Sequence, residues 1–249
     1  MSKETKDNFS AQSATYAAYR PGYPQELFDW LYGHCAAFDT AWDCATGNGQ
    51  AAGKLSEKFE IVYATDISIK QLEKSEKKDN IVYSQGSAEE PGFEDNSFDL
   101  ITVAQALHWL DHKKFFEEVM RVSKPGALFA AWGYNLLNVS PEIDAIIRRF
   151  YFEITGPYWD KERKYVDEEY RTIEMPFPEL PCPVFNMSYN WTVEHMTGYL
   201  NSWSAVQHYI KTEGTNPVDI IKDELVSSWG PLARQVTFPI FMRAAKITK

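Results

Sequence analysis

Residues 40 to 53, TAWDCATGNGQAAG, end an apolar run on a carboxylate, Asp43, and then pass through Ala45, Gly47 and Gly49 into a helix-forming stretch. Glycines at such a strand-to-helix turn let a ligand lie directly against backbone that no side chain shields. The chemistry offered is ligand binding of a particular sign. A dinucleotide site usually has an apolar residue where Asp43 stands, because a carboxylate there would repel the pyrophosphate. A cationic ligand would be favoured instead. S-adenosylmethionine carries a sulfonium and an ammonium and no phosphate, so it suits that field. The same loop, read as Gly47-x-Gly49-x-x-Ala52, also satisfies the dinucleotide fingerprint, with Asp66 downstream as a ribose partner. Taken alone, the loop leaves both cofactors open.

A second candidate for chemistry is His108, in the run AQALHW. It could orient an acceptor carboxylate, act as general base for a hydroxyl, or pack against Trp109 and hydrogen-bond the backbone. The other histidines, His34, His112, His195 and His208, are scattered, and no cluster suggests a metal. Cys35, Cys44 and Cys182 are odd in number and lack metal spacing, which points to a reduced compartment without structural disulfides. Cys44 lies inside the glycine loop and reads as a small packed residue.

These residues need a scaffold, and residues 24 to 135 supply it by alternation. Pro24 opens a helix to about His34, and TAWDCA reads as a first strand. Gln50 to Lys58 reads as a helix, Ile61 to Asp66 as a second strand and Ser68 to Lys78 as a charged amphipathic helix. IVYSQ is a short third strand, FDLITVAQA an apolar central one, Lys113 to Val122 a helix and ALFAAWGY a further strand. Strands joined by helices of about ten residues imply a parallel sheet covered on both faces, with ligands outside the carboxyl ends of its strands. After Asn135 the pattern changes. Residues 141 to 153, Asp160 to Tyr170 and 193 to 211 read as helices, 184 to 191 as a strand, and VTFPIFMRAAKI as a last strand. Pro239 in that last run predicts a bulge or an edge position.

The 249 residues carry a net charge of -10, and their basic groupings, Lys74 to Lys78 and Lys161 to Lys164, are interleaved with acids. Such a surface disfavours nucleic acid. The N-terminus lacks an apolar signal core and no window is a membrane span, so a cytoplasmic protein without a membrane partner is expected, as monomer or homodimer.

With the strand order in place, the chain resembles class I S-adenosylmethionine-dependent methyltransferases, of the type 11 domain. It looks most like the small-molecule branch that includes trans-aconitate methyltransferase. The resemblance covers roughly residues 9 to 135 and rests on YAAYRPGYP, DCATGNGQ, TDIS, GSAEEPGFEDNSFDLI and AQALHW, in that order. It implies an α/β, Rossmann-like, seven-stranded, mostly parallel sheet with helices on both faces, the last strand antiparallel, and a helical cap inserted late in the chain. It also implies a single methyltransferase domain over 1–249. Within it, 1–23 would cover the cofactor, 24–140 bind it, 141–230 form the substrate cap and a late strand, and 231–249 the final strand.

Carried over residue by residue, Asp43, Ala45, Gly47 and Gly49 would line the methionine half of S-adenosylmethionine, with Ala45 where the family usually has glycine. Asp66 would accept both ribose hydroxyls, and Ile67 would pack on the adenine face. Ser87, at a position often Asp in relatives, would flank Ala88 and Glu89 at the adenine edge. Gln105 would contact the methionine portion. Tyr16, Tyr19 and Arg20 resemble the segment that folds over the cofactor, Arg20 offering a planar fork to a carboxylate of either cofactor or acceptor. The acceptor would meet Tyr16, Arg20, His108, Trp109 and Trp132. Aromatics of the cap could widen its pocket, and Arg148, Arg149, Arg163 or Arg171 could anchor it. The expected activity is methyl transfer to a small molecule, with O-methylation of a carboxylic acid foremost. An NAD(P)-dependent oxidoreductase and a non-catalytic cofactor-binding module of the same fold are the alternatives. Base-amine methylation is disfavoured, since AQALHW stands where an Asn-Pro-Pro-Tyr motif would follow the fourth strand.

Overall fold

The computed structural model describes residues 22–249, so Tyr16, Tyr19 and Arg20 lie outside the described residues. The strands are β1 (Thr40–Cys44), β2 (Ile61–Asp66), β3 (Ile81–Gln85), β4 (Phe98–Ala104), β5 (Ser123–Tyr134), β6 (Glu179–Leu180), β7 (Phe185–Trp191) and β8 (Arg234–Lys246). They form one sheet in the order β3-β2-β1-β4-β5-β8-β6, with β7 also paired to β8. The first five are parallel, and β8 runs antiparallel to β5. The seven expected positions are all present. The seventh is shared by two pieces, β6 on Ala244 and Ala245 and β7 on Arg234 to Ile240.

Alternation along the strands divides the core. Leu128, Ala130, Trp132 and Tyr134 of β5 and Phe238, Ile240 and Met242 of β8 face one side, where Leu27, Phe28 and Leu31 of α1 (Gln25–His34) cover them. Trp42, Ile101, Phe129 and Ala131 face the other, against Phe115, Phe116, Val119 and Val122 of α4 (His112–Val122). A period of two in the strands thus builds two apolar layers with one sheet between them.

Between these helices lie α2 (Gln50–Leu55) and α3 (Ile69–Leu72). The helix expected from Ser68 to Lys78 stops after one turn. Ser75 Oγ and Lys77 Nζ both donate to the Leu72 carbonyl, at 2.6 and 3.3 Å, and so occupy the acceptor that a continuing helix would need. Pro239 pairs with Asn186 of β7 in unbroken register and forms no bulge. Pairing of β8 to β5 ends at Ile240, so on that side the proline stands at a local edge, where its missing N–H costs nothing.

The cap consists of α5 (Pro141–Arg149), a π-helical turn over Phe150–Ile154, α6 (Arg163–Asp167), α7 (Val193–Asn201), α8 (Ser204–Glu213) and α9 (Val218–Trp229). Its helix α9 falls in a segment for which the sequence pattern predicted no element.

Candidate active site

The strand order reverses between β1 and β4, which are direct neighbours. Loops leaving their carboxyl ends diverge there and open a crevice, the usual ligand position of such sheets. The loop after β1 has three consecutive odd positions in left-handed backbone: Ala45 at φ 53°, Gly47 at 60° and Gly49 at 84°. Glycine takes this conformation freely, whereas at Ala45 it costs on the order of 1 kcal/mol. At Gly49 a Cβ would also lie 2.4 Å from the Tyr83 hydroxyl.

Asp43 stands behind this loop, with no solvent exposure. Its Oδ2 accepts from Thr46 Oγ1 at 2.5 Å and the Ala52 amide at 3.0 Å, and its Oδ1 accepts from Thr102 Oγ1 at 2.8 Å. The carboxylate therefore ties the loop to the first turn of α2 and to β4. Burial is the largest influence on it and pushes its pKa up to about 6, against these three hydrogen bonds, which lower it.

Asp66, at the end of β2, reaches back to the same loop. Its two oxygens accept the Gly47 and Ser68 amides, each at 2.8 Å. Beside it Ile67 is 39% exposed, an apolar side chain held at the surface next to a polar anchor. Glu89 accepts from Ser87 Oγ at 2.5 Å and from the Asp111 amide at 2.8 Å, which links the turn after β3 to the N-cap of α4. Ala88 beside it is buried. Cys44 is wholly buried, and burial pushes its thiol well up, in keeping with a packed, unreactive residue.

After β4, Gln105 takes a left-handed φ of 56°. Its side-chain amide pairs with Tyr134 like an extra strand residue: Oε1 accepts the Tyr134 amide at 3.0 Å and Nε2 donates to the Tyr134 carbonyl at 3.1 Å. That side chain is committed to β5. Gln105, His108 and Trp109 then form one wall of a cleft of about 660 Å³, open mouth included. Tyr134, Asn135 and Leu136 at the end of β5 form its floor. Trp159, Asp160 and Arg163, with Tyr199 and Trp203 from around α7, close it from the cap.

Trp132 does not join this cleft, which corrects its placement beside the acceptor. It is fully buried two residues before Tyr134, edge-on to Tyr23 and Phe28 at 5.5 and 6.2 Å. Both β5 residues face the same layer, but only the one at the strand end emerges from under α1. Of Arg148, Arg149, Arg163 and Arg171, Arg163 alone lines the cleft. Its guanidinium stacks on Trp159 at 4.8 Å, while its Nε donates to the Tyr151 hydroxyl at 2.6 Å. Arg149 pairs with Glu224, Arg171 with Glu169, and Arg148 is exposed.

His108 is buried between Trp109, tilted at 43° with ring centroids 4.7 Å apart, and Tyr170, stacked at 6.1 Å. Its Nδ1 lies 3.1 Å from the Tyr170 hydroxyl. No sequence pattern pointed to Tyr170, 62 residues away, nor to Thr46 and Thr102 as the partners of Asp43. A hydroxyl near a buried carboxylate could have been sought at Thr46, three residues on. Thr102 becomes its partner only through strand pairing. Among the described residues no group of His, Cys, Asp and Glu side chains could hold a metal ion, and no helix is long and apolar enough to cross a membrane.

Residues 42–131 match the family model described as a methyltransferase domain. A Dictyostelium discoideum protein bearing a methyltransferase name is 32% identical over 96% of this chain and 95% of its own length. A Schizosaccharomyces pombe protein, also named as a methyltransferase, is 30% identical over 88% of this chain and 87% of its own. A solved structure of an Anaeromyxobacter dehalogenans protein described as a type II methyltransferase superposes with a TM-score of 0.86 at 38% identity, covering 92% of this chain and 99% of that one. These likenesses set aside the oxidoreductase and the non-catalytic module. The chain belongs to the class I S-adenosylmethionine-dependent methyltransferases.

Proposed function

We propose that the chain methylates a small molecule held in the cleft beside Gln105 to Trp109, and that the methylated atom is a carboxylate oxygen. The observation that carries this reading is the cleft itself. Aromatic walls suit a small organic body, and a stacked guanidinium suits an anion.

The residues around the first loop fit the cofactor. Among the described residues a Cβ built on Gly47 would meet nothing within 4 Å, so these residues leave space before the loop backbone. We assign the methionine half to Ala45, Gly47 and Gly49, with the backbone of Gln105. The ribose goes to the carboxylate of Asp66 at the end of β2, the adenine face to Ile67, and the adenine edge to Ser87, Ala88 and Glu89. Asp43 acts from behind by holding the loop and contributing buried negative charge. S-adenosylmethionine supplies a methyl group on a cationic sulfur. The chain's own task is to hold the acceptor oxygen about 3 to 3.5 Å from that methyl, in line and away from water. Charge is annihilated in the transfer, so a dry, aromatic-walled cleft favours it. A carboxylate is already nucleophilic and needs no base.

The test is calorimetric titration with S-adenosylmethionine, S-adenosylhomocysteine and NADH, followed by a methylation screen that begins with small carboxylic acids and their alcohol and amine counterparts. Binding of the adenosyl ligands alone and turnover of acids support the reading. Turnover of alcohols or amines but not acids would overturn its carboxylate part.

A further inference from the structure

We propose that Tyr170 is a positioning residue that fixes the proton of His108 on Nε2, so that His108 meets the acceptor as a hydrogen-bond donor and not as a general base. This rests on the cleft being the acceptor site. The Tyr170 hydroxyl has one proton and lies 3.1 Å from His108 Nδ1. Tyr170 is fully buried, and among the described residues the hydrogen bond of its hydroxyl is the one to His108 Nδ1. A proton on Nδ1 would point at that oxygen and leave the buried O–H without an acceptor, which is costly. The hydroxyl's own proton is then directed at Nδ1, which must be a bare acceptor. A neutral imidazole with a bare Nδ1 carries its proton on Nε2. Burial pushes the phenol pKa up, which keeps that hydroxyl protonated.

Tyr170 is built to stay in place. It is fully buried, and its ring lies parallel to His108, at 30°, and edge-on to Phe241 at 5.1 Å. Its backbone sits at φ 59°, a left-handed conformation costly for a tyrosine. The Tyr170 and Ile173 carbonyls both accept from Arg243 Nη1 at 2.5 Å, and Arg243 is in turn paired with Glu179 of β6. An anchor on the sheet edge therefore holds the strained residue against the imidazole.

With Nδ1 committed to Tyr170, any contact of a ring nitrogen with an acceptor goes through Nε2–H. Such a donor stabilises an oxygen that already carries negative charge. In the transfer to a carboxylate the O–C bond forms, the C–S bond breaks and its electron pair remains on sulfur. The products are a neutral ester and a neutral thioether, and no proton has to leave. A neutral alcohol would have to lose its proton to a group other than His108.

The proton can be located directly. Long-range proton–nitrogen NMR correlations on the full-length, ¹⁵N-labelled protein with S-adenosylhomocysteine, above the titration of His108, should show one tautomer with Nε2 protonated. In Tyr170→Phe the Nδ1 resonance should move toward that of a nitrogen without a hydrogen-bond donor, while S-adenosylhomocysteine affinity stays within about twofold. A wild-type proton on Nδ1, or an unchanged Nδ1 resonance in the variant, overturns the proposal. If the variant does not fold, the wild-type spectrum decides alone. Failure of S-adenosylhomocysteine to bind would strike the cofactor assignment and leave the tautomer readable.

Discussion

The loop after β1 and the cleft under the cap are built by opposite means. In the loop, the polar contacts are made by backbone and by carboxylates a few residues or one strand away. Asp43 and Asp66 between them hold Thr46, Gly47, Ala52 and Ser68. In the cleft the groups are side chains from remote segments, with His108 meeting Tyr170 and Arg163 meeting Tyr151 and Trp159. In the proposed function the loop serves a ligand of constant shape, to which a backbone cradle is well suited, and the cleft serves an acceptor whose shape exchangeable side chains can follow without disturbing the sheet.

The largest loss is expected at Asp66. Asp66→Ala removes an acceptor of two loop amides and the proposed ribose partner, so S-adenosylhomocysteine affinity should fall on the order of a hundredfold or more in calorimetry. An unchanged affinity would detach the loop from cofactor binding. Asp43→Asn is the next largest effect and separates scaffold from charge. Its folded pKa of about 6 lies above the ordinary 3.8, so the folded protein holds this proton longer than the unfolded chain. Stability from this group is present below about pH 4 and is lost as pH rises toward 6, by on the order of 3 kcal/mol. Denaturant titrations from pH 4 to 7 should show that component in the wild type and not in Asp43→Asn.

In the cleft, Arg163→Ala should leave S-adenosylhomocysteine affinity within about twofold and lower kcat/KM for a carboxylate acceptor roughly tenfold, the loss of one charge-assisted contact. Equal losses in both assays would show that loop and cleft are not separable. The smallest effect belongs to Trp132→Phe. Among the described residues its buried indole N–H has no hydrogen-bond partner, so losing it offsets part of the cavity left by the smaller ring. Stability should fall by about 1 kcal/mol with ligand binding unchanged. A clear loss of acceptor turnover would return Trp132 to the substrate site.

The same division governs what could be read from the chain. The strands and helices from Pro24 to Tyr134 follow from apolar periodicity and were placed within a few residues, except where Ser75 and Lys77 cut α3 short. The glycines were legible because left-handed backbone demands them. Asp43 was legible as the carboxylate that ends β1, but its burial was not. A strand's last residue can point to ligand or to core, and only the pairing of β1 with β4 brings Thr102 to it. Trp132 failed for a similar reason, since its type suits a pocket wall and a core equally.

The sequence by itself determined the sheet, the glycine loop, the carboxylates that end β1 and β2, and hence the family, because each depends on local backbone conformation and short-range periodicity. Only the tertiary structure decided which side chains form the cleft. That Tyr170 reaches His108, that one arginine of four faces inward, and that Asp43 is buried all depend on contacts between segments far apart in the chain. Residue type leaves such contacts open, and packing selects among them.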